Sequence, residues 1–262
     1  MNTFQGRIRR VLGCTRRHIV ASFQRREYSL PDRGPIVSFT FDDFPRSALE
    51  IGGEILKSYG GLGTYYAAMG LMGCIGEFGE YFCREDLKKL LADGHELGSH
   101  TYSHLSCQTT PLKAFQSDAR KGREAIINFS CRSEPHQFAY PFGHITVRAK
   151  GRIGSQMNSC RSTIKGVNVS PVDVHMLLAN CLYNGITDFG SMDQLFRLSD
   201  RQGGWLIFYT HDISDNPSPF GCKPGQFESV VRSAIRARAK ILSVGSALGS
   251  ASTNRPADEP QG

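Results

Sequence analysis

From residue 35 onward, short β-rich runs alternate with longer helical stretches, and this regularity constrains the fold more than any other feature of the chain. Strand composition marks 36–41 (IVSFTF), 63–69 (GTYYAAM), 95–98 (HELG), 136–140 (HQFAY), 157–161 (MNSCR), 175–181 (HMLLANC), 205–210 (WLIFYT) and 240–244 (KILSV). Helical patterns fall between them, near 46–59, 84–93, 111–129, 145–153, 190–202 and 225–239. Several open on turn or capping residues such as Thr110-Pro111 and Pro224-Gly225. Parallel neighbours need a crossover, so the alternation predicts parallel βα units. Seven or eight such units predict an α/β fold, a distorted (β/α)7-8 barrel, and 262 residues suit one barrel of this kind. The expected organisation is a basic N-terminal arm over 1–30, a barrel domain over 31–245 and a small, polar, flexible tail over 246–262.

Composition narrows the classes of partner. Hydrophobic residues make up 40% of the chain and charged residues 21%, enough apolar material for a sizeable core. The net charge of +7 is local: seven of the 31 basic residues, all arginines, lie within 1–26, where there is no acid. The remainder holds 24 basic against 24 acidic residues, so the body is neutral and no nucleic-acid partner is expected. On a helical projection Phe4, Ile8, Val11, Leu12, Ile19 and Phe23 of the arm share a sector of about 120°. That stripe suits a helix on an anionic membrane surface and equally a helix packed on its own domain, and Gly6 and Gly13 weaken both readings. Arginines interrupt every apolar stretch before a secretory h-region forms, and no apolar run is long enough to span a bilayer. Eight cysteines without a C-x-x-C pair read as reduced thiols. The expected location is the cytoplasm, with peripheral contact of residues 1–26 to the inner face of the membrane as one reading of that stripe beside packing on the domain.

Barrel enzymes carry their chemistry at the C-terminal ends of the strands. Those ends hold Asp42 and Asp43, His100 and His104, Pro141-Phe142-Gly143, and His211-Asp212. In HTYSH the i, i+4 histidines share a face if the segment forms a helical turn. Two histidines and one carboxylate make a facial set suited to a divalent ion with positions left open. One acid of the doublet then serves as third ligand while the other stays free as a base. The ion's charge offsets their mutual repulsion. His95, within the strand HELG, reads as a hydrogen-bonded core residue.

These segments resemble, in order and spacing, the motifs of the polysaccharide deacetylases, carbohydrate esterase family 4 with the nodulation-protein-B homology domain. TFDD (Thr40 to Asp43) is similar to the first motif, HTYSH to the second, YPFG (Tyr140 to Gly143) to the third and LIFYTHD (Leu206 to Asp212) to the fifth. GTYYAA and GHELGSH support the likeness, which covers about residues 35 to 244. It implies a barrel of the polysaccharide deacetylase type and metal-dependent removal of N-acetyl groups from an acetylated amino-sugar glycan. Chito-oligosaccharide, poly-N-acetylglucosamine and a glycolipid precursor are the expected substrates. By this resemblance Asp43, His100 and His104 bind the metal, Zn²⁺ or else Co²⁺ or Ni²⁺. Asp42 is the general base, His211 the general acid, and the Tyr140, Pro141, Phe142, Gly143 turn holds oxyanion and substrate through the Phe142 N–H. The alternatives are a catalytically silent carbohydrate-binding homologue, or an O-acetyl esterase or amidase using the same site.

Three departures shape the expectations. Phe44 stands where the family has Gly, and is expected to narrow the groove or stack on a sugar. Ala139 stands where the family has an Arg beside the base; Arg161 in SCRST is the candidate replacement, with an ordinary surface arginine as the alternative reading. The Asp-bearing fourth motif is missing, with Asp173 or Asp212 as stand-ins for tuning His211. The turn-rich loop from Asp212 to Gly225 is expected to wall the substrate site, with Phe220 as its stacking residue.

Overall fold

The computed structural model describes residues 19–31, 34–130 and 137–249. Eight parallel strands form its main sheet: β1 (Ile36–Asp42), β2 (Thr64–Ala67), β3 (Glu96–Ser99), β4 (Gln137–Ala139), β5 (Ser159–Arg161), β6 (Asn180–Cys181), β7 (Trp205–Thr210) and β8 (Lys240–Ile241). Their order is β6-β7-β1-β2-β3-β4-β5, with β8 also beside β1. β8 pairs with Ile36 and Val37 at the start of β1, and β2 pairs with Thr40 to Asp42 at its end. The two ends of this path are stitched by an irregular segment. Cys160 N donates to Val174 O, Ser162 N to Leu177 O and Ala179 N to Ile164 O. The curled parallel sheet of the expected barrel is therefore present, although the run 175–181 contributes only Asn180–Cys181 to a ladder.

The crossovers are α1 (Glu54–Ser58), entered through a π-turn at Ala48–Gly53, then α2 (Arg84–Ala92), α3 (Leu112–Ser130), α4 (Val147–Gly154), α5 (Met192–Arg201) and α6 (Pro224–Arg236), followed by a last turn, α7 (Val244–Ala247). β1 shows why the sheet curls around a polar interior. Val37, Phe39 and Phe41 pack outward on α6 residues such as Phe227 and Val230, with Phe39 and Phe227 ring centroids 5.2 Å apart. The intervening Ser38, Thr40 and Asp42 are equally buried. Their polar atoms find partners inside: Trp205 Nε1 donates to Ser38 Oγ at 3.0 Å and Thr40 Oγ1 to Phe208 O at 2.8 Å. Alternation with both faces buried marks a strand sandwiched between helices and a satisfied lumen.

The body extends past both expected boundaries. Val20 is buried in a cluster with Phe115, Ala149 and Ile153, and Glu27–Tyr28 pairs antiparallel with Val172–Asp173. The fully buried Lys150 donates to Val20 O at 2.9 Å and meets Asp173 Oδ2 at 2.7 Å, while Arg26 N donates to Asp173 Oδ1 at 3.1 Å. Residues 19–28 thus belong to the packed domain, where the sequence assigned them to the arm. Ile19 and Phe23 nonetheless remain 48% and 56% exposed. At the other end Val244, Ala247 and Leu248 are buried, so the packed chain runs on to Leu248. The rest of the arm (1–18) and of the tail (250–262) lies outside the described residues. No helix among the described residues is long and apolar enough to cross a membrane.

Removing one partner of a buried ion pair leaves the other charge uncompensated. Asp173→Ala is therefore expected to destabilise the domain by about 3–5 kcal/mol in urea unfolding, by stranding Lys150.

Candidate active site

β1 delivers Asp42 into the lumen and then turns sharply, because Asp43 and Phe44 both take left-handed backbone, with φ of 58° and 55°. The turn splits the doublet, sending the two carboxylates to different partners. Phe44 reaches this conformation without glycine because its ring is fully buried, stacked on Phe82 at 5.0 Å and tilted on Tyr65 at 4.9 Å. It is a core residue and offers no face to a sugar. Among the described residues seven non-glycines have positive φ, and Asp43, Phe44, Thr101, His104 and Phe142 are five of them. Strain is concentrated where the strand ends converge.

Asp43 meets the histidine pair. Its Oδ1 lies 3.2 Å from His104 Nε2 and 3.6 Å from His100 Nε2, and the three ligand atoms fall within 4.8 Å of one another. The histidines sit on a bend, in place of the expected helical turn, with φ of 65° at Thr101 and 54° at His104. Their ring centroids still lie 4.9 Å apart. The bend is held by α3, whose Asp118 Oδ2 accepts from Tyr102 N at 3.1 Å and Ser103 N at 2.9 Å. α3 packs so closely here that a Cβ on Gly122 would sit 2.5 Å from the Thr101 carbonyl.

The electrostatics of these residues fit a divalent cation. His100 Nδ1 lies 2.8 Å from Ala139 O, which can only accept, so Nδ1 carries the proton and Nε2 presents its lone pair. Burial lowers His100 to about 3 and His104 to about 4, leaving both imidazoles neutral. Burial, then the charges of Asp42 and Glu77, push Asp43 up to about 8. Asp43 Oδ1 is buried with no hydrogen-bond donor. A carboxylate so placed calls for a positive charge, and two neutral imidazoles beside it complete a ligand set.

Asp42 has another partner. Arg161, fully buried at the end of β5, directs Nη2 to both carboxylate oxygens, 2.5 Å from Oδ2. Burial alone would raise Asp42, but the Arg161 charge, with smaller help from His100 and His211, holds it below its ordinary 3.8. Arg161 is the cross-strand partner of Ala139, and the small side chain on β4 leaves the lumen open to the long one on β5.

His211 completes the group from β7. Its Nε2 lies 4.0 Å from Asp43 Oδ2, its Nδ1 lies 3.2 Å from Phe220 O, and burial lowers its pKa. Phe78, Phe220 and Tyr183 surround the imidazole, with centroids 4.5, 5.8 and 6.0 Å away. Sequence reading missed Phe78, which sits at the turn of the hairpin Ile75–Gly76 with Gly79–Glu80; its one signal was an aromatic inside the glycine-bounded GEFGE. Between this hairpin and the loop after His211 lies a groove of about 480 Å³, lined among others by Arg46, Glu77, Phe78, Asp212 and Asn216.

The remaining expected residues divide. In the turn Pro141–Gly143, Phe142 is 60% exposed and its ring lies 4.4 Å from that of His104. Gly143 has φ of 63°, and a Cβ there would fall 1.9 Å from Thr163 Oγ1. Tyr140 and Pro141 are buried, and the Tyr140 hydroxyl donates to His175 O. Asp212 accepts from Ser218 N at 2.8 Å and from Ser218 Oγ, which ties down the loop after His211. Asp173 does not join the group: its carboxylate is engaged by Lys150 and the Arg26 N–H. His95 is a core residue, accepting from Gly63 N at 3.0 Å.

With this geometry in place, residues 30–158 match a family model described as polysaccharide deacetylase. Residues 30–158 are thus a region of the polysaccharide deacetylase family. The match stops before Arg161 and His211, which the fold brings to the same site. The chitin deacetylase from the fungal pathogen Colletotrichum lindemuthianum superposes with a TM-score of 0.61 at 19% identity, over 86% of this chain and 92% of that one. The Bc1960 peptidoglycan N-acetylglucosamine deacetylase gives 0.60 at 15% identity, over 91% and 99%. A mutant of BA3943, described as a pseudoenzyme of carbohydrate esterase family 4, gives 0.53 at 15%, over 85% and 70%. No curated protein matches the chain in sequence. At such identities the structural likeness speaks for the fold.

A ligand that holds its proton up to about pH 8 must release it to a metal. Zn²⁺ binding at pH 7 is therefore expected to expel about one proton, from Asp43, with apparent affinity rising about tenfold per pH unit up to pH 8 and levelling above. Isothermal titration in buffers of different ionisation heat measures this, and His100→Ala and His104→Ala should abolish the binding.

Proposed function

We propose that the protein is a metal-dependent hydrolase that removes N-acetyl groups from an oligo- or polysaccharide containing N-acetylglucosamine. The observation that carries the reading is the unequal treatment of the doublet. Asp42 is kept ionised by Arg161, while Asp43 joins two neutral histidines in a group that fits a divalent ion. Similarity to chitin and peptidoglycan N-acetylglucosamine deacetylases supports the substrate class.

An acetamide is a poor electrophile, and a divalent ion held by Asp43, His100 and His104, Zn²⁺ or else Co²⁺ or Ni²⁺, supplies polarisation of its carbonyl and acidification of a water. The chain's own residues do the rest. Asp42 accepts the water's proton on a carboxylate that Arg161 holds charged and oriented. The Phe142 N–H, on the left-handed turn, is the donor this reading assigns to the oxygen that gains charge, a type of contact worth roughly 3–4 kcal/mol in comparable sites. With Nδ1–H directed at Phe220 O, His211 acts in its doubly protonated form, favoured by the Asp42 charge against burial, and gives the Nε2 proton to the departing amine, returning to the neutral ring. The exposed Phe142 ring and the Phe78–Phe220 wall border the space where a sugar would lie. A silent binder has no use for an ionised carboxylate beside a metal site, and this weighs against the pseudoenzyme alternative. The O-acetyl esterase alternative differs only in the bond cleaved.

Acetate release from N-acetylated chito-oligosaccharides is the test, and a chelator should stop it. Asp42→Asn should retain metal and lose about 10²–10⁴-fold in kcat. Arg161→Ala should also retain metal and lose far more turnover than removal of a surface arginine such as Arg120. No acetate from any acetylated glycan by folded, metal-loaded protein rejects the proposal.

A further inference from the structure

The guanidinium that holds Asp42 is itself held. Arg161 starts from β5 and crosses the lumen to β1. On the way it passes between two rings: its Cζ lies 5.2 Å from the centroid of Tyr66 and 4.8 Å from that of Tyr209. Those tyrosines come from β2 and β7, the two strands that flank β1. Tyr66 is the cross-strand partner of Asp42, and Tyr209 that of Thr40. The carboxylate and its two aromatic neighbours thus stand on three adjacent strands, and the cation reaches them from across the barrel.

The polar contacts of Arg161 leave part of its guanidinium without a partner. Nη2 goes to Asp42 and Nη1 to Ser162 O at 3.0 Å, but Nε is buried with no hydrogen-bond partner. The Tyr66 hydroxyl is likewise buried without a partner, so what Tyr66 offers Arg161 is the ring and not the oxygen. The Tyr209 hydroxyl is engaged by Tyr183. In a desolvated site a ring beside a cation is worth far more than at a surface. It also replaces part of the hydration that Arg161 lost on burial.

We propose that Tyr66 and Tyr209 are positioning residues for the reaction: they clamp Arg161 from two sides and, through it, fix the Asp42 carboxylate. This rests on the reading of Asp42 as the base. The clamp itself is a statement about Arg161 and can be tested without turnover.

Tyr66→Phe and Tyr209→Phe keep the rings, while Tyr66→Leu and Tyr209→Leu remove them. The phenylalanine variants should keep kcat and bound metal, and Tyr66→Phe should raise Tm by relieving a buried hydroxyl that bonds to nothing. Each leucine variant should keep its metal and its KM while kcat falls about tenfold or more, the rate equivalent of losing a desolvated cation–ring contact. Arginine side-chain NMR supplies the readout independent of activity. In the wild-type protein the Nη protons of Arg161 should be individually resolved by hindered rotation, and in the leucine variants they should average. Leucine variants with wild-type kcat and resolved Arg161 signals would overturn the proposal. Should they fail to fold, the wild-type spectrum decides alone, since averaged Arg161 signals there would overturn it equally. A wild-type protein that releases no acetate rejects the proposed function, while the Arg161 spectrum still decides the clamp.

Discussion

The buried contact between Arg161 and Asp42 is the interaction around which the upper half of the barrel is arranged. Burying such a pair gains little stability over well-packed apolar residues, because desolvation offsets the attraction. Its presence therefore points to a demand other than stability. A carboxylate that must stay ionised while sealed from water needs a cation that cannot be deprotonated, and arginine is the one side chain that guarantees this. The lumen adapts to it: Ala139 is small where the guanidinium passes, Tyr66 and Tyr209 flank it, and Ser162 O accepts from its Nη1.

The same logic explains how two adjacent acids coexist. A strand puts successive side chains on opposite faces, but the left-handed turn at Asp43 and Phe44 sends them to different surroundings instead. Asp42 inherits the lumen and its arginine. Asp43 inherits two imidazoles kept neutral by burial and lacks a donor of its own. Opposite environments drive the two groups' proton affinities apart, which is the condition for giving neighbouring carboxylates different tasks.

How much of this was legible in the sequence follows from the distance over which each signal acts. The helix and strand pattern was readable because amphipathic periodicity is local, and all six helical candidates appear within a few residues of their expected spans. TFDD, HTYSH and THD were readable because each is a short string at a strand end. Arg161 was identifiable only as a neighbouring strand's arginine, and the register that sets it beside Ala139 had to be seen. The roles of Asp118, Phe78 and the tyrosine pair were not readable from their local strings, since each acts through a contact across the fold. Asp173 was misassigned for the same reason: its partner Lys150 lies on α4 and was invisible as a counterion. Residues 19–28 were assigned to the arm because the arginine-rich, acid-free composition of 1–26 set it apart from the neutral body, and its apolar stripe left packing on the domain and attachment to a membrane equally open. In the fold, Arg26 instead donates to the carbonyls of Met157 and Asn158.

Five left-handed residues in one site would be costly if each were held by its own segment alone. Here the cost is met by packing that lies outside the chemistry. Phe44 is pinned by Phe82 and Tyr65, the bend at Thr101 is pressed by Gly122 of α3 and tied by Asp118, and the Phe142 turn rests on buried Tyr140 and on a Gly143 that Thr163 leaves no room to replace. Tyr65 stands on β2 and Asp118 and Gly122 on α3, while Phe82, Tyr140 and Thr163 lie in the connections between elements. The residues at the mouth of the barrel are therefore positioned by packing outside the metal-ligand set. A volume change at Phe82, Gly122 or Thr163 would reach the ligand set through the backbone, although none of these residues touches it.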